Sequence, residues 1–203
     1  MSPAEIEALV AGFKAEKGAQ KIVAFSGGSE EKATAVQVII EDIVNGLVGL
    51  PVAILTGGTK WGVPKTAADV ARVIGLPVIG VYPERGQKYL LPNLDLAIKI
   101  PPRYRESEWG DESEVFVKLS DAIVMLSGSF GTQIEYSHLM KMNERRLKDS
   151  AAPVFLVPIS GIGGWSQLVC ELPLTDNARA CLPASPIGNG HEAVAFLRAK
   201  LFQ

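Results

Sequence analysis

The sequence predicts an α/β domain built on a doubly wound, mostly parallel sheet of six to seven strands, and three observations predict it. Short apolar runs rich in Val and Ile recur along the chain without strict alternation, as expected of strands buried on both faces. Segments with apolar residues at helical spacing separate them. Glycine-rich clusters follow several of the runs directly, where a strand turns into a helix. No repeat, low-complexity tract or linker interrupts the pattern, so residues 1–203 read as one domain with its core at about 21–160.

The elements follow in order. The chain opens on an acidic, helix-like segment, Met1-Ser-Pro-Ala-Glu-Ile-Glu7. Residues 21–25 form the first strand, and 30–47 a helix with Ala33, Val36, Ile40, Ile43, Val44 and Leu47 on its apolar stripe. Strand 52–55, helix 64–74 and strand 78–82 come next. The stretch 86–110, broken by Pro92, Pro101 and Pro102, reads as an excursion carrying one edge strand at 96–100 and suited to act as a lid. Strand 122–126 feeds a helix over 131–148 with Tyr136, Leu139, Met140 and Leu147 on one stripe. A last strand at 154–157, an irregular proline-rich stretch at 172–190 and a helix at 192–201 complete the chain. Alternating strands and helices imply βαβ units and a Rossmann-like sheet.

Composition narrows the function classes. The chain is 47% hydrophobic and 21% charged with a formal net charge of −2, and it lacks a large basic block, which argues against nucleic acid as a partner. Its apolar runs are strand-sized, which argues against a membrane span. The acidic N-terminus is the opposite of a secretion signal, and Cys170 and Cys181 stand without metal-ligand company. The expectation is a cytoplasmic protein with free thiols.

The chemistry is expected at the strand ends. Ser26-Gly27-Gly28-Ser29 ends the first strand, Thr56-Gly57-Gly58-Thr59-Lys60 the second, and Ser127-Gly128-Ser129-Phe130-Gly131-Thr132 the fifth. In a doubly wound sheet all three clusters reach the carboxyl edge, where ligands bind at the switch in strand order. Unpaired N–H groups at a helix start favour an anion, so Gly27, Gly28, Ser29, Thr56, Gly57, Gly58, Thr59, Lys60, Gly128, Ser129, Phe130, Gly131 and Thr132 are candidate ligand-binding residues for a phosphate. The plainer reading of the third cluster is a tight turn with Thr132 and Glu135 as a capping box. Gly-x-Gly-x-x-Gly is absent after the first strand, and the second ends in no acidic residue, so a dinucleotide fingerprint is missing. Thr59-Lys60 lacks the glycine spacing of a Walker A loop.

Lys60 is placed to neutralise a phosphate, and Trp61 and Phe130 either stack on a base or belong to the core. His138, three residues past Glu135, is either its acid/base partner or a surface histidine, and His191 reads as structural. Asp111, Glu112 and Glu114 read as a solvated helix start in preference to a metal site, and no metal is expected. Lys141, Arg145, Arg146 and Lys148 complement the dipole at a helix C-terminus.

Gly128-Ser-Phe-Gly131-Thr132-Gln-Ile-Glu135 resembles the Pro-Gly-Gly-x-Gly-Thr-x-x-Glu signature of the "Lonely Guy" cytokinin-activating proteins, once misnamed lysine decarboxylases. Thr56-Gly-Gly-Thr-Lys-Trp-Gly-Val63 and Val78-Ile-Gly-Val-Tyr-Pro83 are similar to the companion segments of the wider SLOG superfamily, closest in form to its TRPM-like branch. That superfamily also holds molybdenum-cofactor carriers and DNA-processing proteins. The resemblance implies a nucleotide or nucleotide-derived ligand as the small-molecule partner, no separate cofactor, and a homo-oligomer. It implies that the amides of Gly57, Gly58, Thr59, Gly131 and Thr132 hold a 5′-phosphate. It also gives Glu135 the catalytic role, supporting an oxocarbenium ion or orienting water while an N-glycosidic bond is hydrolysed. The signature's opening Pro-Gly is replaced at Ser127 and its second Gly at Ser129, and Glu112 stands near the position of the enzymes' Arg, with Arg103 and Arg105 upstream and free in sequence to fold back. Two function classes follow: a nucleoside monophosphate hydrolase using Glu135, or a non-catalytic sensor or carrier using the same pocket.

Overall fold

The structure, a computed structural model, describes residues 1–29, 34–104 and 109–202. Glu30 and Ala33, at the start of the expected second helix, and Arg105 lie outside the described residues.

Strands β1 (Lys21–Gly27), β2 (Val52–Thr56), β3 (Val78–Pro83), β4 (Leu96–Ile100), β5 (Ala122–Leu126) and β6 (Phe155–Pro158) form one parallel sheet in the order β4-β3-β2-β1-β5-β6. Each lies within two residues of its sequence-derived span. The chain builds outward from β1 through β2 and β3 to β4, then returns to the other side of β1 as β5. The switch in strand order therefore falls between β1 and β5.

The helices are α1 (Pro3–Lys17), α2 (Thr34–Gly46), α3 (Gly62–Val73), α4 (Ser113–Leu119), α5 (Phe130–Lys148), α6 (Gly164–Glu171), α7 (Asp176–Arg179) and α8 (Gly190–Leu201). Alternation along the strands divides the core in two. Val23 and Phe25 of β1 face α2, α3 and α8, where Ile40, Ile43, Ala67 and Leu197 pack. Ile22 and Ala24 face the opposite layer, with Ile6 of α1, Phe116 of α4 and Leu139 of α5. Burial on both faces explains the unbroken apolar runs.

Both sheet edges are managed. On β4, Ala97 and Lys99 point to solvent, and Lys99 pairs with Glu84 at 3.3 Å. Beyond β6, the irregular stretch before α8 supplies backbone partners: Leu156 N–H donates to Cys181 O (2.9 Å) and Ser160 N–H to Ile187 O (2.8 Å).

Asn143, buried on α5, holds that helix to the start of β6. Its amide nitrogen donates to Val154 O at 2.8 Å, and its amide oxygen accepts from Val154 N–H at 2.9 Å. Asn143→Ala leaves a buried N–H and C=O unpaired, and chemical denaturation should show a loss of about 2 kcal/mol. No described helix is long and apolar enough to cross a membrane.

Candidate functional site

The three glycine clusters meet at the carboxyl edge, and contacts between backbones explain several of the glycines. A Cβ on Gly27 would strike Leu126 O of β5 and Val63 of α3. Gly62 opens α3 with φ +60°, and its Cβ would collide with Gly28 O and the Ser29 carbonyl. Gly128 has φ +87°, and a Cβ there would collide with the Thr132 side chain. Ser127 takes φ +52° without being glycine, held by a donated N–H to Ser166 Oγ at 2.9 Å and by Ser166 N–H on its own carbonyl at 3.1 Å. A serine in the left-handed region is strained backbone at the end of β5.

Gly57 and Gly131 differ. A Cβ on Gly57 would meet only Pro64 at 3.9 Å, and one on Gly131 would meet nothing within 4 Å. Neither carries a positive φ. Packing requires no glycine at either place, whereas close approach of a ligand to the backbone would.

Helix α5 begins at Phe130, so Thr132 sits inside the first turn and not at its cap. Ser129 is the N-cap and makes no side-chain cap bond; Gln133 N–H returns to Ser129 O at 3.0 Å. The amides of Phe130, Gly131 and Thr132 thus have no helical acceptor. The capping-box reading fails for the same reason, because Glu135 points elsewhere. Its carboxylate accepts the hydroxyl of Ser26, at the end of β1, across the switch point.

Glu135 is the most perturbed acid described. Burial pushes its carboxyl up to about 7, the Ser26 hydroxyl pulls it down, and the negative charge of Glu112 pushes it up again. Among the described residues, none of these influences is a cation. Burial also raises Glu112, against two backbone N–H bonds that lower it, and Asp111 adds a smaller upward push. The three carboxylates at the start of α4 diverge: Asp111 accepts Arg103 N–H at 2.8 Å, Glu112 accepts Gly110 N–H at 2.8 Å, and Glu114, in the first turn, pairs with the Arg103 guanidinium. Among the described residues no group of His, Cys, Asp and Glu is arranged to hold a metal.

The second cluster is partly occupied with its own structure. Thr56 is buried, and its Oγ1 accepts Gly58 N–H at 3.1 Å, so that hydroxyl and that amide shape the turn. Lys60 N–H donates to Tyr89 O at 2.9 Å, and the Lys60 ammonium lies 5.2 Å over the Trp61 ring, at the rim. Trp61 is 45% and Phe130 81% exposed, so neither is core.

His138 is exposed and does not join Glu135. It opens on a cleft of about 600 Å³ between α1, α4 and α5, lined by Ile6, Arg103, Met142 and Arg145. His191 lies exposed in the first turn of α8. Sequence reasoning placed Glu135, Lys60 and the glycines at this edge but missed three contributors. Ser26 falls one residue outside the first cluster's candidates. Tyr89 and Trp109 sit in the irregular excursion, where no periodicity flags them.

Together, a parallel sheet with its glycine turns gathered at the β1/β5 switch defines a Rossmann-like α/β domain. The chain belongs to the SLOG cluster4 family, whose model matches residues 20–146. Among solved structures it is similar to the structural-genomics protein TM1055, at 21% identity and TM-score 0.69, covering 89% of this chain and 99% of that one. It is also similar to the molybdenum cofactor binding protein from the phototrophic bacterium Rippkaea orientalis (18% identity, TM-score 0.64, covering 88% and 96%). The molybdenum cofactor carrier protein from Chlamydomonas reinhardtii is similar as well (19% identity, TM-score 0.62, covering 90% and 99%). Among curated proteins, none matches the sequence.

Proposed function

We propose that this protein holds a nucleotide or nucleotide-derived metabolite at the carboxyl edge of its sheet, as a carrier or sensor. The observation that carries this reading is Glu112. A carboxylate stands in electrostatic reach of Glu135, near the place where the hydrolases it resembles have an arginine. With no cation among the influences of the described residues on Glu135, the two acids repel a 5′-phosphate, which does not itself react in N-glycosidic hydrolysis but must be held beside them. The phosphate is held at the amides of Phe130, Gly131 and Thr132 and at the open backbone of Gly57, a seat that both readings share. Two of the structurally similar proteins are, by name, a binding protein and a carrier, which accords with holding a ligand.

Hydrolysis of an N-glycosidic bond is the second reading, favoured by one observation. A carboxyl titrating at about 7 is half protonated at neutral pH and suits a general acid. Incubation of the protein with AMP, CMP, NAD and ADP-ribose separates the two. The expected result is binding by calorimetry with no free base or ribose phosphate released. Turnover that disappears in Glu135→Gln and declines above pH 7 would establish the hydrolase instead.

A further inference from the structure

Three aromatic rings from separate segments line one side of the site. Trp61 follows the β2 glycine turn, Tyr89 ends the 3-10 turn Glu84–Tyr89, and Trp109 precedes α4. Trp61 and Tyr89 have centroids 5.1 Å apart at a tilt of 50°, and Tyr89 stacks on Trp109 at 6.4 Å and 19°. Backbone bonds fix this wall to the glycine turn: Lys60 N–H donates to Tyr89 O, and Leu91 N–H donates to Gly58 O at 2.7 Å. Gly86 has no side chain where Trp109 lies over it, since a Cβ would come within 3.1 Å of the indole. Trp61 and Trp109 nevertheless stay 45% and 50% exposed, so a rigid ladder presents open ring faces. On the same loop Thr59 Oγ1 is buried without a hydrogen-bond partner among the described residues.

The opposite side is acidic. Glu112 follows Trp109 by three residues, is fixed by Gly110 N–H, and lies on the stretch where Gly110 packs against Ile134, the α5 residue before Glu135. Lys88 lies 4.8 Å from the Tyr89 centroid, and Lys60 caps Trp61, so these two cations sit at the aromatic rim. An aromatic wall meeting a carboxylate fits a flat ring with N–H groups on its edge. A ring that presents a carbonyl there would set oxygen lone pairs against the carboxylate's own.

Resting on the nucleotide-binding reading, we propose that the Trp61–Tyr89–Trp109 wall seats a nucleobase carrying an exocyclic amino group. The base stacks on the exposed Trp109 ring, which Tyr89 backs, and donates its amino hydrogens to Glu112, while the phosphate occupies the α5 helix start.

Calorimetric titration at pH 8 of the intact protein with AMP, IMP, CMP, UMP and ribose 5-phosphate tests this. AMP and CMP should bind about tenfold or more tightly than IMP and UMP, because only the former offer the amino donor. Trp109→Ala should weaken AMP about tenfold, the low end of one base's stacking, and leave ribose 5-phosphate unchanged. Trp109→Phe should restore most of the loss, and Glu112→Gln should bring the AMP/IMP ratio towards one. Equal affinity for amino and oxo partners overturns the proposal, as does a Trp109→Ala loss shared equally by ribose 5-phosphate. Ribose 5-phosphate binding with no gain from any base sinks the base seat alone. Absence of binding by every probe overturns the nucleotide reading with it.

Discussion

Glu135→Gln is expected to make the protein more stable at pH 8 by about 3 kcal/mol and to leave it nearly unchanged at pH 4.5. The folded carboxyl titrates at about 7 against an ordinary value of 4.5. Its neutral form is therefore favoured in the folded chain, and the folded state holds the extra proton between those values. Where the folded state binds more protons, stability falls as pH rises. The contribution is fully present below about 4.5, declines through the interval, and is gone above about 7, a span worth about 3 kcal/mol by linkage. Gln mimics the neutral acid, keeps a partner for the Ser26 hydroxyl and cannot ionise beside Glu112. Urea unfolding of both forms at pH 4.5, 6, 7 and 8 measures the difference, in which groups common to both cancel. A difference independent of pH would mean that the carboxyl ionises freely. A partly buried acid retained at such a cost is the pattern of a functional group, where activity is maintained against stability.

How far this site was visible beforehand follows from the kind of signal each part leaves. The strands were legible because short Val- and Ile-rich runs bounded by Gly and Pro are too brief for buried helices, and the glycine turns because they interrupt those runs abruptly. The start of α5 was less so. Ser129, Phe130 and Thr132 all sit within one turn, and although the expected start at 131 is one residue from Phe130, only the folded chain shows that Ser129 is the N-cap and that Glu135 crosses to β1. The approach of Glu112 to Glu135 is a tertiary fact. It depends on the stretch before α4 folding back, with Gly110 close under Ile134, and no local pattern encodes it. Tyr89 and Trp109 escaped for the same reason: irregular backbone has no period from which to infer a facing side chain. A Trp-Gly pair in a proline-broken excursion was the available hint.

The glycines of one site should answer substitution in opposite ways, and the contrast separates fold from function. Gly62→Ala places a Cβ against Gly28 O and the Ser29 carbonyl while forcing an L-residue to φ +60°. Both obstacles are backbone, so no side-chain rotation relieves them. Left-handed strain and overpacking together should cost about 3 kcal/mol or more, read as a lower denaturation midpoint at unchanged slope. Gly131→Ala meets no protein atom within 4 Å and has no positive φ, and alanine is the better helix former. Its stability should stay level or rise by about 0.5 kcal/mol. Yet the methyl would stand beside amides that the helix leaves unpaired, where an incoming phosphate must approach the backbone. Ribose 5-phosphate affinity, measured by calorimetry, should therefore fall about tenfold or more in Gly131→Ala, the loss of roughly one hydrogen bond to a charged group. Full affinity in that variant would place the anion elsewhere and leave α5 an uncapped helix start with no ligand to receive.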